Sequence, residues 1–188
     1  MTSSPVEEIE LRPDTTMGEL MDAFPGARRA LFARYHIGGC QSCGFSDTET
    51  LASVCERNEN LPVGEVIEHI QSSHEEDQKI LIEPTEVAEL LKGDNPPVLI
   101  DLRTREEFEA VSLPGAKLFG QELNQEIFGT WPKETPIVMY DHTGDRCLDA
   151  AAYLIGHEFR QTRAMRGGID AWSQEVDPDV PRYRIEFE

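Results

Sequence analysis

The chain of 188 residues has few basic residues, few cysteines and no long apolar run. Only 17 lysines and arginines stand against 36 acidic residues, and the net charge of −19 is spread evenly along the chain. A surface this acidic repels phosphate backbones and anionic lipids, so we expect neither nucleic-acid binding nor membrane binding. The lack of an apolar run and the acidic start MTSSPVEEIE predict no transmembrane helix and no signal peptide. We therefore expect a soluble protein of the cytoplasm.

The chain contains only four cysteines, and three of them are close together in sequence. Cys40, Cys43 and Cys55 lie within sixteen positions, whereas Cys147 stands alone. This distribution differs from the disulfide framework of a small secreted protein. In an intracellular chain, a CxxC motif is typical of redox or metal chemistry.

Residues 1–75 are predicted to form a small all-α helical domain that contains the CxxC motif. Apolar residues recur there at three- and four-residue spacings, which is the periodicity of helices with one buried face. Residues 14–16 can cap the first helix, Pro25-Gly26 separates it from the second, and Asp47 or Thr48 can cap the third. The polar residues 71–78 are predicted to be a linker. The side chains expected to face inward are Met17, Leu20, Met21, Leu31, Phe32, Tyr35, Leu51, Val54, Cys55, Val63, Val66, Ile67 and Ile70.

Residues 76–188 follow a different pattern, in which short apolar runs alternate with helical segments. Helical patterns include PTEVAELLK, TREEFEA and RCLDAAAYLIGH. Strands that alternate with helices predict an α/β domain with a central parallel sheet and helices on both faces. The predicted strands are Ile80–Ile82, Val98–Leu102, Ala116–Phe119, Ile137–Tyr140 and Thr162–Met165.

Three ordered blocks in this second half carry a family resemblance. PPVLIDLRTREEFEAVSLPGA, PIVMYDHTGDR and MRGGIDAW, within about residues 80–175, resemble the rhodanese-like (sulfurtransferase) family. The resemblance implies a six-residue loop around a persulfide-forming cysteine at its first position. It also implies a structural pair of Asp101 and Arg103 at the end of the second strand. The loop residues here are Asp141, His142, Thr143, Gly144, Asp145 and Arg146, so aspartate occupies the cysteine position.

The aspartate changes the chemistry expected of this loop. Backbone N–H groups that converge on one point accommodate a carboxylate, so the loop can keep its shape. A carboxylate oxygen cannot carry sulfur as a persulfide, and its charge repels thiosulfate. We therefore do not expect ordinary thiosulfate sulfurtransferase activity from Asp141, and whether the protein is an enzyme stays open. Cys147, in the first turn of the next helix, is either a thiol activated by the helix dipole or a small residue packed on the sheet.

The first half resembles a second, smaller family. The segments TTMGELMDAFP, ARRALFARYHIGGCQSCGF, ETLASVCERNE and LPVGEVIEHI, over about residues 13–71, are similar to the helical CxxC redox-disulfide module associated with hybrid-cluster proteins. They are also similar to the N-terminal domain of iron–sulfur repair proteins. The resemblance implies that Cys40 and Cys43 are the chemical centre, either as a redox pair or as metal ligands.

The residues around the CxxC leave two interpretations open. Two thiols on a glycine-flanked loop can close a disulfide, which makes Cys40 and Cys43 the candidate catalytic pair. Alternatively, His36, Cys40, Cys43 and Cys55 could hold zinc or an iron–sulfur cluster. Against the second interpretation, Cys55 can be a buried hydrophobe, and His36 can be a solvated residue at a helix end.

Four functional hypotheses follow. The first is a thiol-redox or sulfur-handling protein whose rhodanese-like domain is a non-catalytic binding or sensing module. The second is a zinc or iron–sulfur protein of stress repair or assembly. The third is a sulfurtransferase that uses Cys40, Cys43 or Cys147, and the fourth is an interaction protein built on an inactive enzyme fold. The partner is expected to be a protein or a small sulfur species, and the sequence does not identify which.

Overall fold

The computed structural model of the chain describes residues 10–38, 44–144 and 146–183. Contacts divide the chain into two units, Met1–Glu76 and Asp77–Glu188. Each unit has hydrophobic core clusters of its own. Within the described ranges, no helix combines the length and the apolar character that crossing a membrane would require.

The described part of the first unit contains helices and no sheet. Helix α1 begins after Thr16, whose hydroxyl accepts a hydrogen bond from the N–H of Glu19, while the Glu19 carboxylate accepts from the N–H of Thr16. This reciprocal capping box satisfies two N–H groups at the helix start. The four helices span Met17–Ala23 (α1), Ala27–Tyr35 (α2), Leu51–Arg57 (α3) and Val63–Ile80 (α4).

Two predictions for these helices were wrong. The cap of α3 is Thr50, not Asp47 or Thr48, because Thr50 is the extended residue directly before the helix and its hydroxyl accepts from the N–H of Ser53. Residues 71–78 are not a linker but the second half of α4. Neither glycine nor proline occurs between Gly64 and Pro84, so no residue there breaks the helix.

The core of the first unit contains most of the side chains expected to face inward. Met17, Leu20, Leu31 and Leu51 are fully buried, and they pack with other predicted residues of all four helices. Phe32 is an exception, since 49% of its surface is exposed. One residue further along a helix is about 100° further around it, so Phe32 points away from the face that Leu31 buries.

The second unit is built on a five-stranded sheet in which all neighbouring strands are parallel. The strand order is β1-β5-β4-β2-β3, so β4 lies at the centre. The strands span Leu81–Ile82 (β1), Val98–Asp101 (β2), Lys117–Leu118 (β3), Ile137–Tyr140 (β4) and Thr162–Met165 (β5). The helices span Pro84–Leu91 (α5), Arg105–Ala110 (α6), Gln121–Thr130 (α7), Cys147–Gly156 (α8) and Gly168–Glu175 (α9).

Side chains of β4 alternate between two core clusters, and this alternation confirms that helices cover both faces of the sheet. Ile137 and Met139 pack in one cluster with residues of α7 and α8. Val138 and Tyr140 pack in the other cluster with residues of α5 and α9. Since β4 is buried on both sides, its sequence is a continuous apolar run. Because β4 is the central strand, the loop after its carboxyl end lies at the middle of that edge of the sheet.

Candidate functional site

The loop that follows β4 closes around its own first side chain. The Asp141 carboxylate accepts hydrogen bonds from the backbone N–H groups of Gly144, of Arg146 (2.6 Å to Oδ2) and of Cys147 (3.1 Å to Oδ2). Asp141 is only 4% exposed. The carboxylate therefore occupies the position where N–H groups of the loop and of the α8 amino terminus converge. The chain itself supplies the anion that such a nest of donors favours.

Glycines allow the loop to lie directly against the start of α9. The N–H groups of Ile169 and Asp170 donate to the carbonyl oxygens of Asp141 (2.9 Å) and His142 (3.1 Å). Gly168 has a φ of +58°, and a Cβ on it would lie 2.5 Å from the Asp141 oxygen. Only glycine permits both that backbone angle and that approach. The second glycine of MRGGIDAW is thus required by packing against the loop.

Cys147 points into the core beneath the loop. It is fully buried, and its thiol donates weakly to the carbonyl oxygens of Gly144 (3.4 Å) and Met165 (3.7 Å). In this conformation a sulfur donor in solution cannot reach the thiol. Of the two roles that the sequence left open for Cys147, this environment supports the small residue packed on the sheet and not the activated thiol.

The remaining loop residues differ in exposure. Thr143 and the Arg146 side chain are exposed, while His142 is partly buried. The His142 ring lies edge-on to the Tyr183 ring, with 4.4 Å between centroids. Its Nδ1 is buried and has no hydrogen-bond partner among the residues that the structure describes. Asp145 lies outside the described residues.

Asp101 and Arg103 form a buried, doubly hydrogen-bonded ion pair beside the loop. Arg103 donates from Nε (2.9 Å) and Nη2 (2.6 Å) to the two Asp101 oxygens, and both side chains are almost completely buried. Burial alone would lower the pKa of Arg103, but the hydrogen bonds to Asp101 and Tyr183 outweigh it and raise that pKa. The guanidinium is thus a permanent charge at this edge of the sheet.

Tyr183 and Arg182 complete this network, and neither was predicted from the sequence. Tyr183 accepts from Arg103 Nη1 (2.6 Å) and donates to Glu107 Oε1 (2.7 Å). Arg182 donates from Nε (2.7 Å) and Nη2 (2.9 Å) to the two Asp170 oxygens. A signal was present, because the basic and aromatic run PRYR is unusual in so acidic a chain.

These contacts shift the pKa of the groups involved. Burial and then the Glu107 hydrogen bond raise the pKa of Tyr183 to about 12. The Arg182 hydrogen bonds lower the pKa of Asp170. For Glu107, burial acts to raise the pKa, but hydrogen bonds from Thr104 and Tyr183 outweigh it, and the pKa is lowered. The neutral phenol and the two ionised carboxylates are therefore the stable forms near neutral pH.

The candidate residues of the first unit are only partly within the described ranges. Cys40 and Cys43 lie outside them. Cys55 is buried in the core, and burial raises the pKa of its thiol. His36 is exposed at the end of α2, with a left-handed φ of 58°. Across the described ranges, no three His, Cys, Asp or Glu side chains gather as a metal site.

Arginine side chains hold the described residues next to the CxxC segment. Arg57 Nη2 donates to the carbonyl oxygen of Gly44 (2.6 Å) and pairs with Glu49 (3.2 Å). The Arg28 guanidinium lies 4.6 Å from the centroid of the Phe45 ring. The residues that directly follow Cys43 in sequence are thus anchored to helices α2 and α3.

Comparison with known proteins identifies the second unit. The sequence model of the family described as "Rhodanese-like domain" matches residues 83–175. The "Rhodanese-like/PpiC domain-containing protein 12, chloroplastic" of Arabidopsis thaliana is 37% identical over 94 residues, which are 45% of this chain and 30% of that protein. A "Sulfurtransferase" of Allochromatium vinosum is 28% identical over 99 residues, which are 53% of this chain and 92% of that protein.

A solved structure gives a weaker match. The rhodanese-like domain protein from Staphylococcus aureus has a TM-score of 0.42 and 24% identity, covering 51% of this chain and 93% of that one. This chain spans less than a third of the length of the first curated relatives that it matches. The family match nevertheless covers strands β2 to β5 of the parallel sheet and the six-residue loop. Residues 83–175 of this chain therefore form a rhodanese-like domain, with aspartate at the first position of its loop.

Proposed function

We propose that this chain is a thiol-redox or sulfur-handling protein in which Cys40 and Cys43 carry the chemistry and the rhodanese-like domain binds or senses a partner. The sulfur-handling class is supported by the family of residues 83–175 and by the name "Sulfurtransferase" of the Allochromatium vinosum relative. The division of labour between the two units is inferred from the site itself.

The observation that carries the proposal is the bonding of the Asp141 carboxylate. Three backbone N–H groups already donate to it, so the donors that would stabilise a thiolate or a bound anion are occupied by the chain's own oxygen atoms. A carboxylate does not accept a sulfane sulfur as a thiolate does. Among the described residues of this loop, a sulfur-transfer step has neither its nucleophile nor a free anion site.

The burial of the other cysteines directs the chemistry to the CxxC. Cys55 and Cys147 are both in hydrophobic cores, where a thiol is shielded from reagents. The two remaining cysteines are separated by two residues, which is the spacing that allows a disulfide within a short loop. Cys40 and Cys43 are therefore the thiols proposed to react.

The proposal is tested by counting reactive thiols in native, reduced protein purified without air. We expect two fast thiols in the parent chain, one in Cys40→Ser and in Cys43→Ser, and two in Asp141→Ala. Cys147→Ala is the matched control, and it should keep both fast thiols because the Cys147 thiol is buried. Fast labelling at Cys147 with an unreactive CxxC would overturn the proposal.

The intact mass of the native protein, measured without air and again after exposure to air, decides between redox and metal chemistry. An air-oxidised chain that is two hydrogens lighter, with Cys40 and Cys43 unlabelled until reduction, supports the redox pair. Zinc, iron or sulfide retained in the native mass, with Cys40, Cys43 and Cys55 protected from label, would replace the redox proposal by a ligand site.

A further inference from the structure

The last described segment of the chain, Asp177–Tyr183, crosses the edge of the rhodanese-like domain, and we call it the C-terminal strap. The part of the strap around Val180, which we call its root, is attached to the domain. Val180 is buried in the core, its carbonyl oxygen accepts from Ser173 Oγ (2.5 Å), and its N–H donates to the carbonyl oxygen of Asp177 (3.1 Å). Only the two residues at the tip, Arg182 and Tyr183, reach the neighbourhood of the loop.

The tip makes polar contacts with three residues and an aromatic contact with a fourth. Arg182 forms a two-pronged ion pair with Asp170 of α9, whose own N–H donates to the His142 carbonyl oxygen. The Tyr183 hydroxyl accepts from Arg103 and donates to Glu107 of α6. The Tyr183 ring lies against the edge of the His142 ring. In these contacts, the side chains of Arg182 and Tyr183 bind to side chains of the domain.

The contacts select particular side chains. A carboxylate that receives two parallel N–H bonds matches the planar guanidinium of arginine better than the ammonium of lysine. A donor and an acceptor side by side, next to an aromatic edge, match a phenol, because a phenyl ring can neither accept from Arg103 nor donate to Glu107. The surface is thus complementary to arginine followed by tyrosine.

We propose that the face formed by Arg103, Glu107, His142 and Asp170 is a recognition surface for an extended protein segment that presents an arginine followed by a tyrosine, and that the C-terminal strap occupies it as an intramolecular ligand. The inference rests on the binding role proposed above for this domain and names its partner class. A segment of another protein with the same two side chains gains access when the tip leaves.

The tip can leave without unfolding its root. The Arg182 side chain is 56% exposed, and ion pairs this open to solvent are weak and screened by salt. Val180 and Ser173 hold the root two residues before the tip. A tethered tip has a high effective concentration, so it blocks the face against a free peptide of equal intrinsic affinity.

The test uses the full chain and a synthetic peptide of residues 177–183 with a fluorophore at its amino end. Fluorescence anisotropy compares the parent chain with the double variant Arg182→Ala/Tyr183→Ala. We expect the variant to bind the peptide at least about tenfold more tightly than the parent does, because the tether no longer competes. A peptide with phenylalanine in place of tyrosine should bind more weakly, and raising the salt concentration should weaken binding further.

Equal peptide binding by the parent and the variant, or no binding by a folded variant, overturns the proposal. If the double variant does not fold, the single variant Arg182→Ala replaces it, since that side chain is largely exposed. The assay uses no cysteine, so its failure leaves the CxxC proposal standing. Conversely, unreactive CxxC thiols would not alter peptide binding.

Discussion

The Asp141 carboxylate accepts a hydrogen bond from the backbone N–H of Cys147, six residues later in the chain. This bond closes the loop on itself and places aspartate oxygen at the amino terminus of α8. Aspartate is a preferred acceptor for the free N–H groups of a helix start. The aspartate at the first position of the loop therefore stabilises the shape of the loop.

Replacing Asp141 by alanine should destabilise the second unit by about 2–3 kcal/mol, because three N–H groups lose a charged acceptor in a buried place. Asp141→Asn should cost less, since the amide retains one acceptor oxygen. Urea unfolding measures the difference. Asp94→Ala, at an exposed position between α5 and β2, is the control and should stay within about 0.5 kcal/mol of the parent. Equal stability of Asp141→Ala and the parent would contradict the role assigned to the carboxylate.

Replacing Asp141 by cysteine should introduce a persulfide-forming thiol. The thiolate would lie where the three N–H groups converge, attack the outer sulfur of thiosulfate, break its S–S bond and release sulfite. Intact mass should then show one added sulfur atom, which cyanide removes as thiocyanate.

Asp141→Ser is the matched control for that experiment, because a hydroxyl of similar size carries no sulfane sulfur. An unmodified Asp141→Cys chain would show that the loop geometry depends on the carboxylate. It would also show that the fold cannot be returned to sulfur transfer by one substitution.

Replacing Arg103 by alanine should cost about 3–5 kcal/mol, because the Asp101 carboxylate is left buried without its partner. Arg103→Lys should recover only part of this loss, since an ammonium cannot form the paired bonds to both Asp101 oxygens. Thermal unfolding with calorimetry measures both. The control is Arg105→Ala, an exposed position two residues later, for which we expect no more than about 0.5 kcal/mol. A similar effect of the two alanine variants would refute the structural importance of the pair.

The Asp170–Arg182 ion pair should make stability depend on acid pH. The hydrogen bonds from Arg182 lower the pKa of Asp170 in the folded chain. The stabilisation is thus fully present above the unfolded-state pKa of about 3.9 and is lost as the pH falls through the lower folded value.

NMR titration of the Asp170 carboxyl carbon between about pH 2 and pH 6 checks this directly. In Arg182→Ala, the pKa of Asp170 should rise toward its ordinary value. Arg160→Ala, at an exposed position elsewhere in the domain, should leave that pKa unchanged. A pKa of Asp170 that is identical in the parent and in Arg182→Ala would show that the tip of the strap is not bound in solution.

The bounds of two strands were predicted correctly because the local sequence alone marks them. The runs Ile137–Tyr140 and Thr162–Met165 were predicted to the residue, because polar or turn-forming residues bound each apolar run. The helices α7 and α9 were not singled out. Gly129 lies within α7, and α9 begins at Gly168, directly after Gly167, so local propensity argues against both helices. The packing of these two helices against the sheet outweighs their low helix propensity.

The α/β class of the second unit, the order of the rhodanese-like motifs and the aspartate at the first loop position can all be predicted from the sequence, because each depends on residues adjacent in the chain. The burial of Cys147, the three N–H groups around Asp141 and the hydrogen bond from Arg103 to Tyr183 arise only when the chain folds. Tyr183 lies eighty positions from Arg103, and a hydrogen bond between such distant residues depends on how the sheet brings strand ends together. No periodicity or spacing along the chain predicts this contact between Arg103 and Tyr183.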